Sequence, residues 1–149
     1  YANIHTVDEE DLDHVCEILM LNNTDFNLPA NQITTIEKTL SFNQIKAAND
    51  LPNNIENIYL FQLFSHAHQL MTRFDVEFYD GETEETQLIY TALDYEHPPI
   101  LTLNEHLQIQ DGDYLRMVAT YNNTTDDDVG FGLLSTDEMM ILFGYLYYD

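Results

Sequence analysis

Leu60-Phe61-Gln62-Leu63-Phe64-Ser65-His66-Ala67-His68-Gln69-Leu70 decides how this chain is read. β-favouring apolar and aromatic residues fill it and neither Pro nor Gly interrupts it, so it predicts part of a strand spanning residues 58–70. Side chains alternate across a strand, which sends His66 and His68 to one face. Two imidazoles placed this way can share one metal ion. Standing alone, a His-x-His in a sandwich is more often a polar pair at a strand end. Its weight comes from what lies downstream.

The frame around it is a chain of 149 residues, expected to form one domain over residues 1–149, with residues 1–14 as a polar lead-in. A domain of this size buries roughly 70% of its unfolded surface, enough for a real core. There are 27 Asp plus Glu against 4 Lys plus Arg, a net charge of -23. Nucleic acid is excluded as a partner, because phosphate binding needs a basic footprint. Membrane insertion is excluded too, since no run of about 18 apolar residues occurs. Cations are attracted, although solubility or a salty habitat accounts for the acidity before any specific cationic ligand does. Cys16 is the single cysteine, so no internal disulfide forms. The first residue is Tyr rather than Met, which suggests a processed chain or a piece of a longer one. Glycosylation patterns begin at Asn22, Asn122 and Asn123, and in so Asn-rich a chain they read as chance.

Strands are expected at 16–21, 34–42, 74–78, 87–93, 114–121 and 138–148, with one or two short ones in 100–109. A short helix fits 44–48. Asp80-Gly81 and Asp111-Gly112 signal tight turns, and Pro98-Pro99 breaks the chain. In 114–121, Leu115, Met117, Ala119 and Tyr121 share one face. Residues 122–128 read as the least ordered loop. Turn signals between strands at roughly ten-residue spacing predict an all-β fold of about eight to nine strands, an antiparallel sandwich or jelly roll.

The ordered set His66-Ala67-His68, Asp80-Gly81, Asp94-Tyr95, Gly112-Asp113, Tyr121-Asn122 and Asp137-Glu138-Met139-Met140 resembles the C-terminal domain of the copper type II, ascorbate-dependent monooxygenases. This is the family of dopamine β-monooxygenase and peptidylglycine α-hydroxylating monooxygenase, and the Glu-Met-Met ending is nearest its bacterial branch. The resemblance covers about residues 15–148. It implies an antiparallel jelly-roll β-sandwich that carries one copper ion per chain, held by His66, His68 and Met139. It also implies O2 activation for hydroxylation of a C–H bond in a small organic substrate. Electrons would come from a separate domain or protein, or from an external reductant such as ascorbate. An extracellular or periplasmic location follows from the same likeness. The donor set is chemically sensible, since imidazole suits copper and a thioether favours Cu(I) over hard cations.

Each assignment has a rival. Met139 would equally serve as core, Met140 on the opposite face is the alternative donor, and Met71 is a weaker one. His5, His14, His97 and His106 match no metal spacing. Tyr121, Tyr145, Tyr147 and Tyr148 read as packing. The chain also departs from its relatives. The family's second copper domain finds no histidine set in residues 1–60, where only His5 and His14 occur. A disulfide of the relatives would join the positions of Ala119 and Met140, so apolar packing is expected to replace it. The Arg that holds a substrate carboxylate in the peptide-amidating enzyme is Phe64 here, which argues against a peptide acid as substrate. Glu96-His97-Pro98 also differs from the relatives. The alternative reading is a non-catalytic copper-binding or interaction module on the same sandwich.

Overall fold

The structure is a computed structural model that describes residue 8 and residues 12–149. Its strands are β1 (Glu17–Asn22), β2 (Asn27–Leu28), β3 (Gln32–Ser41), β4 (Ile58–His66), β5 (Met71–Asp80), β6 (Glu85–Ala92), β7 (Leu101–Ile109), β8 (Tyr114–Asn123), β9 (Val129–Gly130) and β10 (Ile141–Tyr148), with one helix, α1 (Phe42–Ala48), after β3. Two four-stranded sheets, ordered β1-β10-β4-β7 and β3-β8-β5-β6, are accompanied by the short pair β2-β9. Pairing is antiparallel throughout the named strands. The partners are nested: β1 with β10, β3 with β8, β4 with β7, and β5 with β6. A long hairpin rolled across two sheets gives this nesting, a jelly roll, one of the two forms the strand spacing leaves open and the one the resemblance implies.

Alternation builds the core. On β8, Leu115, Met117, Ala119 and Tyr121 are fully buried, while the residues between them are half-exposed. On β5, Phe74, Val76 and Phe78 are buried and face the same core. Ala119 and Met140, where the resemblance implies that a disulfide has been replaced by apolar packing, are both fully buried within that apolar cluster. Gly81 and Gly112, from two turns far apart in sequence, meet: a Cβ on Gly81 would lie 2.6 Å from the Gly112 carbonyl oxygen. The Gly81 N–H donates to Asp113 Oδ1 at 2.8 Å, and Gly112 takes φ +101°, a conformation natural to glycine.

Several expectations need correction. The pivotal strand ends at His66, and 67–70 turn into β5. The last strand starts at Ile141, so Glu138 to Met140 lie outside it. Of the one or two strands expected in 100–109 there is one, as that reading allows, interrupted in pairing where Leu60 meets Leu107 but Gln62 meets Thr102. The segment 122–128 is well tied down. Asn123, fully buried, donates to the carbonyls of Leu28 and Asp127, each at 2.9 Å. Asp128 Oδ1 accepts the Ala30 N–H at 3.0 Å. Side-chain-to-backbone bonds order a polar loop as well as a ladder would, and a composition-based reading misses them.

Candidate metal centre

β4 carries Phe64 and His66 outward and Leu63 and Ser65 inward. His68 lies two residues past the strand, with buried Ala67 between the histidines, so the alternation continues beyond the ladder. The His66 and His68 rings meet edge to face, with centroids 5.3 Å apart. Burial, reinforced by the neighbouring His68 ring, lowers the His66 pKa and favours the neutral form that has a lone pair to give. The His68 ring is oriented by its Nδ1–H, which donates to the Asp137 carbonyl at 2.8 Å. A carbonyl only accepts, so the proton sits on Nδ1 and Nε2 is left as the free donor atom.

Register brings the third candidate near. His66 pairs with Ile141 across β4 and β10. Past that last pair, the His68 and Met139 N–H groups both donate to Glu138 Oε2, at 2.8 and 3.2 Å. Met139, 8% exposed, and Ile141 both stay outside the core cluster, whereas Met140 belongs to it. The Met140 sulfur instead accepts the Asn23 side-chain N–H at 3.8 Å. Met71 is likewise core, on β5 opposite Tyr121. The Met139 carbonyl is held by the Tyr121 hydroxyl at 2.7 Å. Burial drives the Tyr121 hydroxyl far above the ordinary range, with the Glu138 charge adding to it, so it is a permanent donor.

A cavity of about 650 Å³ opens over the two histidines, walled by Phe64, Phe143, Leu133 and Pro98, with Tyr95 and Glu96 also in its lining. Met139 is not part of that wall. Phe64 and Phe143 stack at 5.5 Å. Behind His66, the Tyr90 hydroxyl donates to the Pro99 carbonyl at 3.0 Å and accepts the Ser65 N–H at 3.0 Å. This one phenol fastens the end of β4 where Pro98-Pro99 has ended its pairing with β7.

The other histidines stand elsewhere. His14 stacks on Tyr147 at 4.0 Å, and His106 shares a 3.0 Å hydrogen bond with the Tyr147 hydroxyl. His97 is exposed and faces Asp94 at 3.3 Å. His5 lies outside the described residues. Tyr121 packs the core as expected, but Tyr147 also anchors these two histidines. Sequence reasoning missed Glu138, Tyr90 and the Asp137 carbonyl as supports. The available signal was an acid, Glu138, set against an otherwise apolar run.

Fold and site together define a class: a jelly-roll sandwich with a His-x-His pair at the floor of an apolar cavity. The chain matches the family model described as copper type II ascorbate-dependent monooxygenase, C-terminal domain, over residues 14–149. It belongs to that family, whose members depend on copper and ascorbate. No curated protein matches the chain. The residues present fit copper on their own chemistry. Burial favours the neutral form of one imidazole, a second has its ring nitrogen roles fixed, and the Met139 backbone shares the Glu138 carboxylate oxygen with that of His68.

Proposed function

We propose that this chain is the copper-binding, O2-activating domain of a monooxygenase that hydroxylates a C–H bond. His66, His68 and Met139 would hold the metal. The observation that carries the reading is the His68 ring, turned by the Asp137 carbonyl so that Nε2 is free beside the His66 ring. Ligating histidines are oriented this way by a hydrogen bond from the other ring nitrogen. The metal would supply one-electron chemistry on dioxygen that carbon-centred side chains cannot provide.

The chain's own residues would do the rest. Phe64, Phe143 and Leu133 offer a substrate apolar contact and would keep bulk water from the reacting carbon. No guanidinium stands at position 64, so a substrate carboxylate has no bidentate anchor there. The charged group in the cavity lining is the Glu96 carboxylate, which accepts the Tyr95 hydroxyl at 3.2 Å. A neutral or cationic organic substrate suits this lining better than an anion. Electrons would come from a separate domain or protein, or from a reductant such as ascorbate. We place the protein outside the cytoplasm, in the periplasm or beyond, on the family likeness.

Copper titration of the wild-type chain and of the double variant His66→Ala, His68→Ala tests this. One ion per chain, bound by the wild type and lost in the variant, is expected. Oxygen uptake by the copper-loaded chain with reductant, dependent on His66, separates an enzyme from a non-catalytic copper module. Absence of a tight site in the wild type overturns the reading.

A further inference from the structure

Glu138 is fully buried, and both of its carboxylate oxygens are in use. Oε2 accepts the His68 N–H at 2.8 Å and the Met139 N–H at 3.2 Å, and Oε1 accepts the Leu70 N–H at 2.7 Å. All three donors lie past the end of the β4–β10 ladder, which closes at the His66–Ile141 pair. Beyond that rung the two chains no longer satisfy each other, and a buried N–H without a partner costs about 1–3 kcal/mol. The carboxylate takes the place of the missing rungs. Its own backbone is fixed as well: the Glu138 N–H donates to Gly130 at 3.0 Å, and the Glu138 carbonyl accepts the Gly132 N–H at 3.1 Å. A single oxygen, Oε2, thus ties two residues that are distant in sequence.

We propose that Glu138 is the positioning residue of the centre, its carboxylate locking the backbones of His68 and Met139 together so that imidazole and thioether are preset before any metal arrives. The inference rests on reading His66, His68 and Met139 as ligands. Glu138 acts through them, because its oxygens are turned to three backbone N–H groups. Preset donors bind without first ordering a loop, which is where affinity is gained. Thioether capture is the more sensitive half, because one N–H bond and the Tyr121 hydroxyl are what hold Met139 in place.

The test compares the full chain with Glu138→Gln, which keeps the shape but sets an N–H donor against a backbone N–H. In the metal-free proteins, amide hydrogen exchange at His68, Leu70 and Met139 is expected to quicken at least tenfold in the variant, with central β8 unchanged. Cu(I) affinity, read against a competing chelator, is expected to fall about 10–100-fold. X-ray absorption is expected to lose the copper–sulfur shell while keeping the nitrogen shell. General destabilisation would not produce that selective loss. Unchanged exchange at the three amides, or unchanged Cu(I) affinity with sulfur retained, overturns the proposal. If Glu138→Gln fails to fold, Glu138→Asp, charged but one methylene short, is read in the same way. A wild type that binds no copper overturns the ligand reading and this proposal together. A wild type that binds, beside a variant that binds equally, overturns this proposal alone.

Discussion

The Nδ1 atom of His68 lies 2.8 Å from the backbone oxygen of Asp137. The contact settles which ring nitrogen carries the proton, and it joins a residue just past β4 to one just before β10. In the metal-free protein, nitrogen NMR of the imidazoles is expected to show His68 as the Nδ1–H form at neutral pH. The opposite tautomer would mean that Nε2 is not the free atom, and the ligand geometry argued above would fail.

Neighbouring methionines are expected to respond differently. Met139→Leu roughly conserves volume and should cost under about 1.5 kcal/mol, yet weaken Cu(I) more than Cu(II), because only the soft ion prefers sulfur. Met140→Ala empties a fully buried core position and should cost about 2–5 kcal/mol. Its preference between the two copper ions should stay unchanged. Thermal melts and paired titrations separate the cases, and reversed behaviour would make Met140 the donor.

Tyr90→Phe removes a hydroxyl that serves the Ser65 N–H and the Pro99 carbonyl. Ser65 is 1% exposed, so its N–H would be left without water, at about 1–3 kcal/mol. Urea unfolding measures the loss. Faster exchange of the Ser65 amide would locate it one residue from His66.

How much of this was legible in the sequence depends on what each feature is made of. The alternation of Leu115, Met117, Ala119 and Tyr121 is a period-two pattern, and the burial of β8 follows it. The antiparallel all-β class followed from turn signals such as Asp111-Gly112, which need particular residues. Where β4 stops was not legible. Phe64 to Leu70 keeps its strand-like composition, and the ending is imposed by the facing segment, whose Glu138 takes the N–H groups instead. Residues 122–128 misled for a related reason. Their order comes from Asn123 and Asp128 reaching backbone across about a hundred positions, and no local window shows such bonds. His66 and His68 stood out because of their spacing. Tyr90, 25 residues from the Ser65 it supports, carried no such mark.

Gly144 sits on β10 facing Leu63 of β4, and a Cβ there would overlap the Gln62 carbonyl oxygen and crowd the Leu63 side chain. Backbone yields less readily than a flexible side chain. Gly144→Ala is therefore expected to destabilise by at least about 1–3 kcal/mol, with the disturbance centred on residues 62–64. A neutral effect on the melting temperature would show that β4 can shift away.

Acid should weaken the fold in a defined way. The Ala30 N–H, and after it the Asn27 side chain, hold the Asp128 carboxyl below its ordinary value. A folded-state pKa below the unfolded value of about 3.9 means the contribution is present above about pH 4 and lost as pH falls through the folded value. Asp80 and Asp94 shift the same way, chiefly through the N–H groups of Thr83 and Glu96 respectively. Asp128→Asn should flatten, without abolishing, the decline in melting temperature below pH 4.

Ala119 and Met140 pack against one another's surroundings as plain hydrocarbon and thioether, where relatives would place a bridge. Cys16, the single cysteine, is exposed. Nothing in the described fold can therefore be unpicked by thiols, and assembly requires no oxidative step. The domain's shape is thus indifferent to a reducing medium, and melts recorded with and without dithiothreitol should superimpose.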